Sequence, residues 1–218
     1  MSIKKEGFKK ERLRSFFFNL EKKRKMEKKQ EIIKEQLDKK GMEFIQMKLP
    51  IKNITKEFED KIKAKVEHNI LKAKIRRASE EDLDSIISIY NKAWLTSNEP
   101  FAPLSQNTLK ILYNDPDIII LIAKVYGIDA GFIILDLEGP KKEYGVIAGL
   151  GVLPRFQRKG LGTVLGLYAW NYFKEKGIKE LRCEVYPENL TSCNFINSLG
   201  FNQYDRKFYK SDDFILAS

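Results

Sequence analysis

Gly151-Val152-Leu153-Pro154-Arg155-Phe156-Gln157-Arg158-Lys159-Gly160-Leu161-Gly162-Thr163 is the stretch that decides how this chain is read. An apolar run over 144–153 ends at Pro154 and predicts a strand. A helix with the stripe Leu161, Val164, Leu165, Tyr168 and Phe173 begins at Gly160 and stops at Gly177. Between them lie Arg155, Arg158 and Lys159, with glycines at 160 and 162. The first N–H groups of a helix have no partner within it, and the helix dipole adds positive charge there. Glycine lets the backbone approach a phosphate closely. The ligand implied is a pyrophosphate.

Two common pyrophosphate motifs do not fit. The triphosphate loop G-x-x-x-x-G-K-[ST] is absent. The dinucleotide fingerprint G-x-G-x-x-G/A fails at Gly149-x-Gly151, followed by Pro154, and at Gly160-x-Gly162, followed by Leu165. Gln157-x-x-Gly160-x-Gly162 instead resembles the Q/R-x-x-G-x-G/A signature of the GNAT superfamily of acyl-CoA-dependent N-acyltransferases. Upstream, Ile75-Arg76-Arg77-Ala78-Ser79-Glu80-Glu81-Asp82-Leu83 resembles the first strand and first helix of that family. Downstream, Glu184-Val185-Tyr186-Pro187-Glu188-Asn189, then Ser192 and Leu199-Gly200-Phe201, resemble its fifth strand, fourth helix and closing turn.

The resemblance implies a GNAT-type α/β fold over 73–218, a mixed, mostly antiparallel sheet flanked by helices. It implies acetyl-CoA as cosubstrate, with Leu150, Gly151 and Val152 along the pantetheine arm. Gln157, Arg158, Lys159, Gly160, Leu161, Gly162 and Thr163 would hold the pyrophosphate, and Asn189 would meet the coenzyme near its reactive end. The amide of Val152 would stabilise the oxyanion formed when a neutral amine attacks the thioester. Glu184 stands where some protein-acetylating relatives carry a catalytic glutamate, with Glu143 a weaker candidate base. The tyrosine that relatives carry seven residues after the Asn189 position is here Ile196, so Tyr186, Tyr204, Tyr209 or a water is left to protonate the thiolate. A thiol with a pKa near 8.5 also leaves tolerably without a strong acid.

Helices are expected over 55–71, 83–94, 105–114, 160–176 and 191–198. Strands are expected over 74–77, 118–126, 131–137, 144–153 and 180–186, with two closing strands over 201–205 and 207–210. Residues 1–72 read as a basic helical extension. Its first 40 residues hold 15 Lys and Arg against 7 Asp and Glu, eight of the chain's ten surplus positive charges. That arm would bind nucleic acid or the ribosome, or pack on the domain or as a homodimer contact through Phe16–Phe18, Met26, Ile33 and Leu37. Its alternating Glu and Lys favour packing.

The N-terminus runs straight into charge, and the most apolar run, 118–123, is far shorter than the roughly 20 residues of a membrane helix. Cys183 and Cys193 have no metal spacing. A cytoplasmic protein without a membrane partner is the expectation. The resemblance further implies that the acceptor, a protein or a small-molecule amine, enters past the loop holding Asn98, Glu99 and Phe101 and past a loop over 203–207. Three functions compete: an N-acetyltransferase acting on a primary amine, a coenzyme-binding module with little catalysis, and a catalytic domain targeted by its basic arm.

Overall fold

The computed structural model describes residues 42–69, 71–94, 97 and 104–209. Its strands are β1 (Met42–Pro50), β2 (Lys74–Arg77), β3 (Ile118–Val125), β4 (Ile128–Glu138), β5 (Tyr144–Val152), β6 (Glu180–Val185) and β7 (Asn202–Tyr209). Its helices are α1 (Lys56–Glu67), α2 (Leu83–Trp94), α3 (Gln106–Tyr113), α4 (Leu161–Glu175) and α5 (Leu190–Ser198). All seven strands form one sheet in the order β2-β3-β4-β5-β6-β1-β7. Only the β5–β6 pair is parallel. The mixed sheet flanked by helices is the architecture expected.

Local chemistry explains the start of α2. Asp82 accepts from the Ser79 amide at 2.7 Å and closes a capping box. Arg76 grips the same carboxylate through both terminal nitrogens, at 2.6 and 2.7 Å. The Arg76 guanidinium, above all, holds Asp82 well below the usual carboxylate range. α2 then buries Leu83, Ile86, Ile89, Tyr90 and Trp94. Phe58 and Ile62 face Leu167 and Trp170 of α4, and Glu59 bonds Lys63 and Lys174. Those two ammonium groups lower the Glu59 pKa to about 2.

Two expectations are corrected. The chain is not divided at residue 72, because residues 42–50 are neither helix nor appendage. They form β1, which pairs antiparallel with β6 on one side and β7 on the other. Five of its nine residues are buried. The two expected closing strands are one, β7. Its pairing shifts where Gln46 faces Asp205 and Met47 faces Gln203, so Tyr204 is an inserted residue and the ladder continues past it. The basic segment 1–40 and the acceptor loop residues Asn98, Glu99 and Phe101 lie outside the described residues.

Candidate active site

β5 and β6 pair from Tyr144↔Glu180 to Ile147↔Cys183 and no further. On its other side β5 pairs Ile147 with Leu135 and Gly149 with Ile134, leaving Ala148 as a bulged extra residue. A bulge bends and twists its strand, and here it carries β5 away from β6. Beyond Ile147 the strands open into a cavity of about 180 Å3. Ala148, Gly149 and Leu150 line one wall, Glu184 and Val185 the other, with Ser192, Phe195 and Ile196 of α5 between.

The anion cradle adjoins this cavity. Gly162, in the first turn of α4, is packed so that a Cβ there would touch Phe195 at 3.4 Å and Leu150 at 3.9 Å. Gly160 caps the helix in the left-handed region, φ +81°, a conformation a side chain disfavours. The first bond within the helix runs from the Val164 amide to the Gly160 carbonyl at 3.1 Å, so the amides of Leu161, Gly162 and Thr163 have no acceptor within it. Arg158, itself at φ +57°, and Lys159 are exposed beside them. Bare amides, a glycine cap and two free-standing cations fit a pyrophosphate. Gln157 turns inward instead: its Nε2 donates to the Val152 carbonyl at 2.9 Å and braces the loop on β5. At Gly151 a Cβ would strike the Phe132 ring, so β5 must be bare there.

One member of the cradle was not read from the sequence. Asn69, just after α1, donates through Nδ2 to the Lys159 carbonyl at 2.9 Å and accepts the Leu71 amide on Oδ1 at 2.8 Å. The same Nδ2 lies where a Gly160 side chain would be. The segment before the signature domain therefore buttresses the loop. Asn69→Ala is expected to weaken coenzyme A binding about fivefold, the loss of one ordinary hydrogen bond, with little change in thermal midpoint. Calorimetric titration of coenzyme A checks it.

The other assigned residues separate into those in the cavity and those outside it. Glu184 lines it, half-buried, and accepts from the Tyr209 hydroxyl at 3.0 Å. Tyr209 and Tyr204 line it too; Tyr186 instead packs its ring on Phe44 at 5.7 Å. Burial pushes the Tyr204 phenol up, against the pull of Arg182. Asn189 is buried, and its Oδ1 accepts the Ser192 amide at 3.1 Å, so the side chain caps α5. Glu143 sits in the turn before β5, at the strand end away from the bulge. Backbone amides, its own and that of Lys141, hold its carboxyl below the usual range. His68 closes α1 with Nδ1 on the Ala64 carbonyl at 2.7 Å, outside the cavity. Residues 203–207 are part of β7, not a loop.

This arrangement of bulged strand, glycine-capped helix and open cleft coincides with a family match: residues 83–201 fit the model for the acetyltransferase (GNAT) family. The chain belongs to that family. Its members use acetyl-CoA, which the cradle fits. Two uncharacterized archaeal N-acetyltransferases are similar in sequence. One, from Methanocaldococcus jannaschii, is 26% identical over 62% of this chain and 64% of its own length. The other, from Archaeoglobus fulgidus, is 28% identical over 64% and 90%. The chain thus spans just under two thirds of the first relative. In fold it resembles the PaiA N-acetyltransferase of Thermoplasma acidophilum bound to coenzyme A, with TM-score 0.55 and 24% identity over 63% of this chain and 99% of that one. It also resembles the ribosomal-protein-S18-alanine N-acetyltransferase of Escherichia coli, with TM-score 0.53 and 22% identity over 61% and 79%. No described helix is long and apolar enough to cross a membrane.

The GNAT match has an informative boundary. Gln157–Thr163, Leu150–Val152 and Glu184 fall inside residues 83–201, and Asn69 falls outside. Phe44, Gln46, Tyr204 and Tyr209, which also line the cavity, fall outside it.

Proposed function

We propose that this protein transfers an acetyl group from acetyl-CoA to a primary amine by direct attack on the thioester. The observation that carries the reading is the cleft between the opened edge of β5 and Glu184, with the start of α4 beside it, where Gly162 packs near the lining residues Leu150 and Phe195. Acetyl-CoA supplies the activated acyl group. Leu161, Gly162 and Thr163 offer amides to its pyrophosphate, and Leu150 to Val152 offer backbone to its arm. The Val152 amide is suited to the oxyanion, and Glu184 takes the proton that the amine must lose, directly or through water. Tyr209 holds Glu184 in place through its hydroxyl, and it brings a hydroxyl into the cavity where Ile196 cannot.

Turnover of acetyl-CoA with a panel of primary amines, followed by thiol release, tests the activity. Coenzyme that binds and is never consumed would sink it in favour of a binding module. Glu184→Gln keeps an oxygen for Tyr209 and should fold. Its rate is expected to fall about 100-fold below the pKa of the substrate amine, where a base is needed. The deficit should shrink as pH rises through that pKa and the amine arrives neutral. A pH–rate profile parallel to that of the unaltered enzyme would remove Glu184 as the base.

A further inference from the structure

Gln46 stands directly opposite Glu184 in the β1–β6 ladder, so the two side chains share a face of the sheet. Gln46 lines the same cavity, yet it is only 6% exposed and its Nε2 is buried with no hydrogen-bond partner. Buried donors in folded proteins are nearly always paired, and one left alone is costly. An apolar residue of similar size would fill the position without that cost. The neighbouring apolar wall, Phe44 and the ring of Tyr209, supplies no acceptor aimed at this donor.

Resting on the acetyl-transfer reading above, we infer that Gln46 is a specificity-determining residue: its carboxamide N–H receives an oxygen of the acceptor while Glu184 receives the amine. Side chains opposite each other in an antiparallel pair lie about 5 Å apart at Cβ. A single small group can therefore engage both only if its oxygen is close to its nitrogen. The chemistry selected is a primary amine with an oxygen acceptor on the carbon next to the one that bears the nitrogen. A peptide N-terminus provides this as a carbonyl and an amino sugar as a hydroxyl. The position belongs to β1, outside the region shared with the family, where a substrate preference particular to this chain would be encoded.

The test uses the full chain saturated with coenzyme A and three amines of similar size: alaninamide, 2-aminopropan-1-ol and 2-aminobutane. Calorimetry measures their binding, and kcat/KM with acetyl-CoA is measured in parallel, for the unaltered chain and for Gln46→Leu and Gln46→Glu. The unaltered chain is expected to favour an oxygen-bearing amine over 2-aminobutane by about tenfold, the contribution of one hydrogen bond to a well-placed donor. Gln46→Leu should erase that preference. Gln46→Glu, which presents no amide donor, should do the same. Preference for alaninamide points to a peptide N-terminus, and preference for the amino alcohol to an amino sugar. Equal affinity for all three amines, or a preference that survives Gln46→Leu, would overturn the inference. Selective binding without turnover would retain it and refute acetyl transfer alone.

Discussion

A chain starting at Lys56, and so lacking β1, is expected not to fold, whereas one starting at Met42 keeps the whole ladder and should. β1 is the sixth strand of seven, and it is the strand on which β7 pairs. Its removal leaves the other edge of β6 open from Glu180 to Val185 and unpairs β7 along its length. It also uncovers apolar side chains that Met42, Phe44, Met47 and Leu49 now bury. Four such side chains contribute roughly 1.5–3 kcal/mol each, about 6–12 kcal/mol together as an upper estimate. That matches the whole net stability of an ordinary domain, about 5–15 kcal/mol. Far-UV circular dichroism and the cooperativity of thermal unfolding distinguish the two truncations. A cooperative transition in the Lys56 chain would mean that the family region folds without its inserted strand.

Gly160→Val should lower coenzyme A affinity about tenfold or more, and should lower the thermal midpoint while leaving a folded protein. A valine at φ +81° carries a backbone penalty of about 1–2 kcal/mol from the left-handed conformation, more for a β-branched residue. Its Cβ would also strike Asn69 Nδ2, forcing apart the contact that supports the Lys159 carbonyl. Both effects act on the loop whose amides face the pyrophosphate, and neither touches the core under β4. Titration of coenzyme A, read beside the thermal midpoint, separates them. A variant that loses stability and keeps its affinity would make Gly160 a folding residue only. Because Gly160 and Asn69 touch, the defects of Gly160→Val and Asn69→Ala should combine to less than their sum.

The anion cradle was legible because its physics is local. A strand end, a run of cations and two glycines before a helical stripe are consecutive in the chain, and bare amides at a helix start follow from any such arrangement. The elements β2 to β6 and α1 to α5 were legible within a few residues for the same reason, since each carries its own periodicity or cap. Glu184 was singled out from the sequence by resemblance, and it lines the cleft. Nothing in its neighbours along the chain said that Tyr209, 25 residues on, would hold it.

β1 was hidden by its own pattern. Met42, Phe44 and Gln46 are buried and so are Met47 and Leu49, so burial changes face midway. The first half looks into the cleft and the second towards α1 and α4, which leaves no single alternation in the sequence to follow. The division of β7 at Arg206 failed because Asp205, Arg206 and Lys207 stay paired in register with Gln46, Ile45 and Phe44 of β1. The sequence by itself determined the family, the glycine-capped start of α4 and most of the elements, because those are properties of neighbours in the chain. Tertiary structure alone decided that residues 42–69 complete the sheet and brace the cradle through Asn69, and that Gln46, Glu184 and Tyr209 meet at one place. Those three come from three strands, and pairing between distant strands is chosen by the fit of whole faces, which no local pattern records.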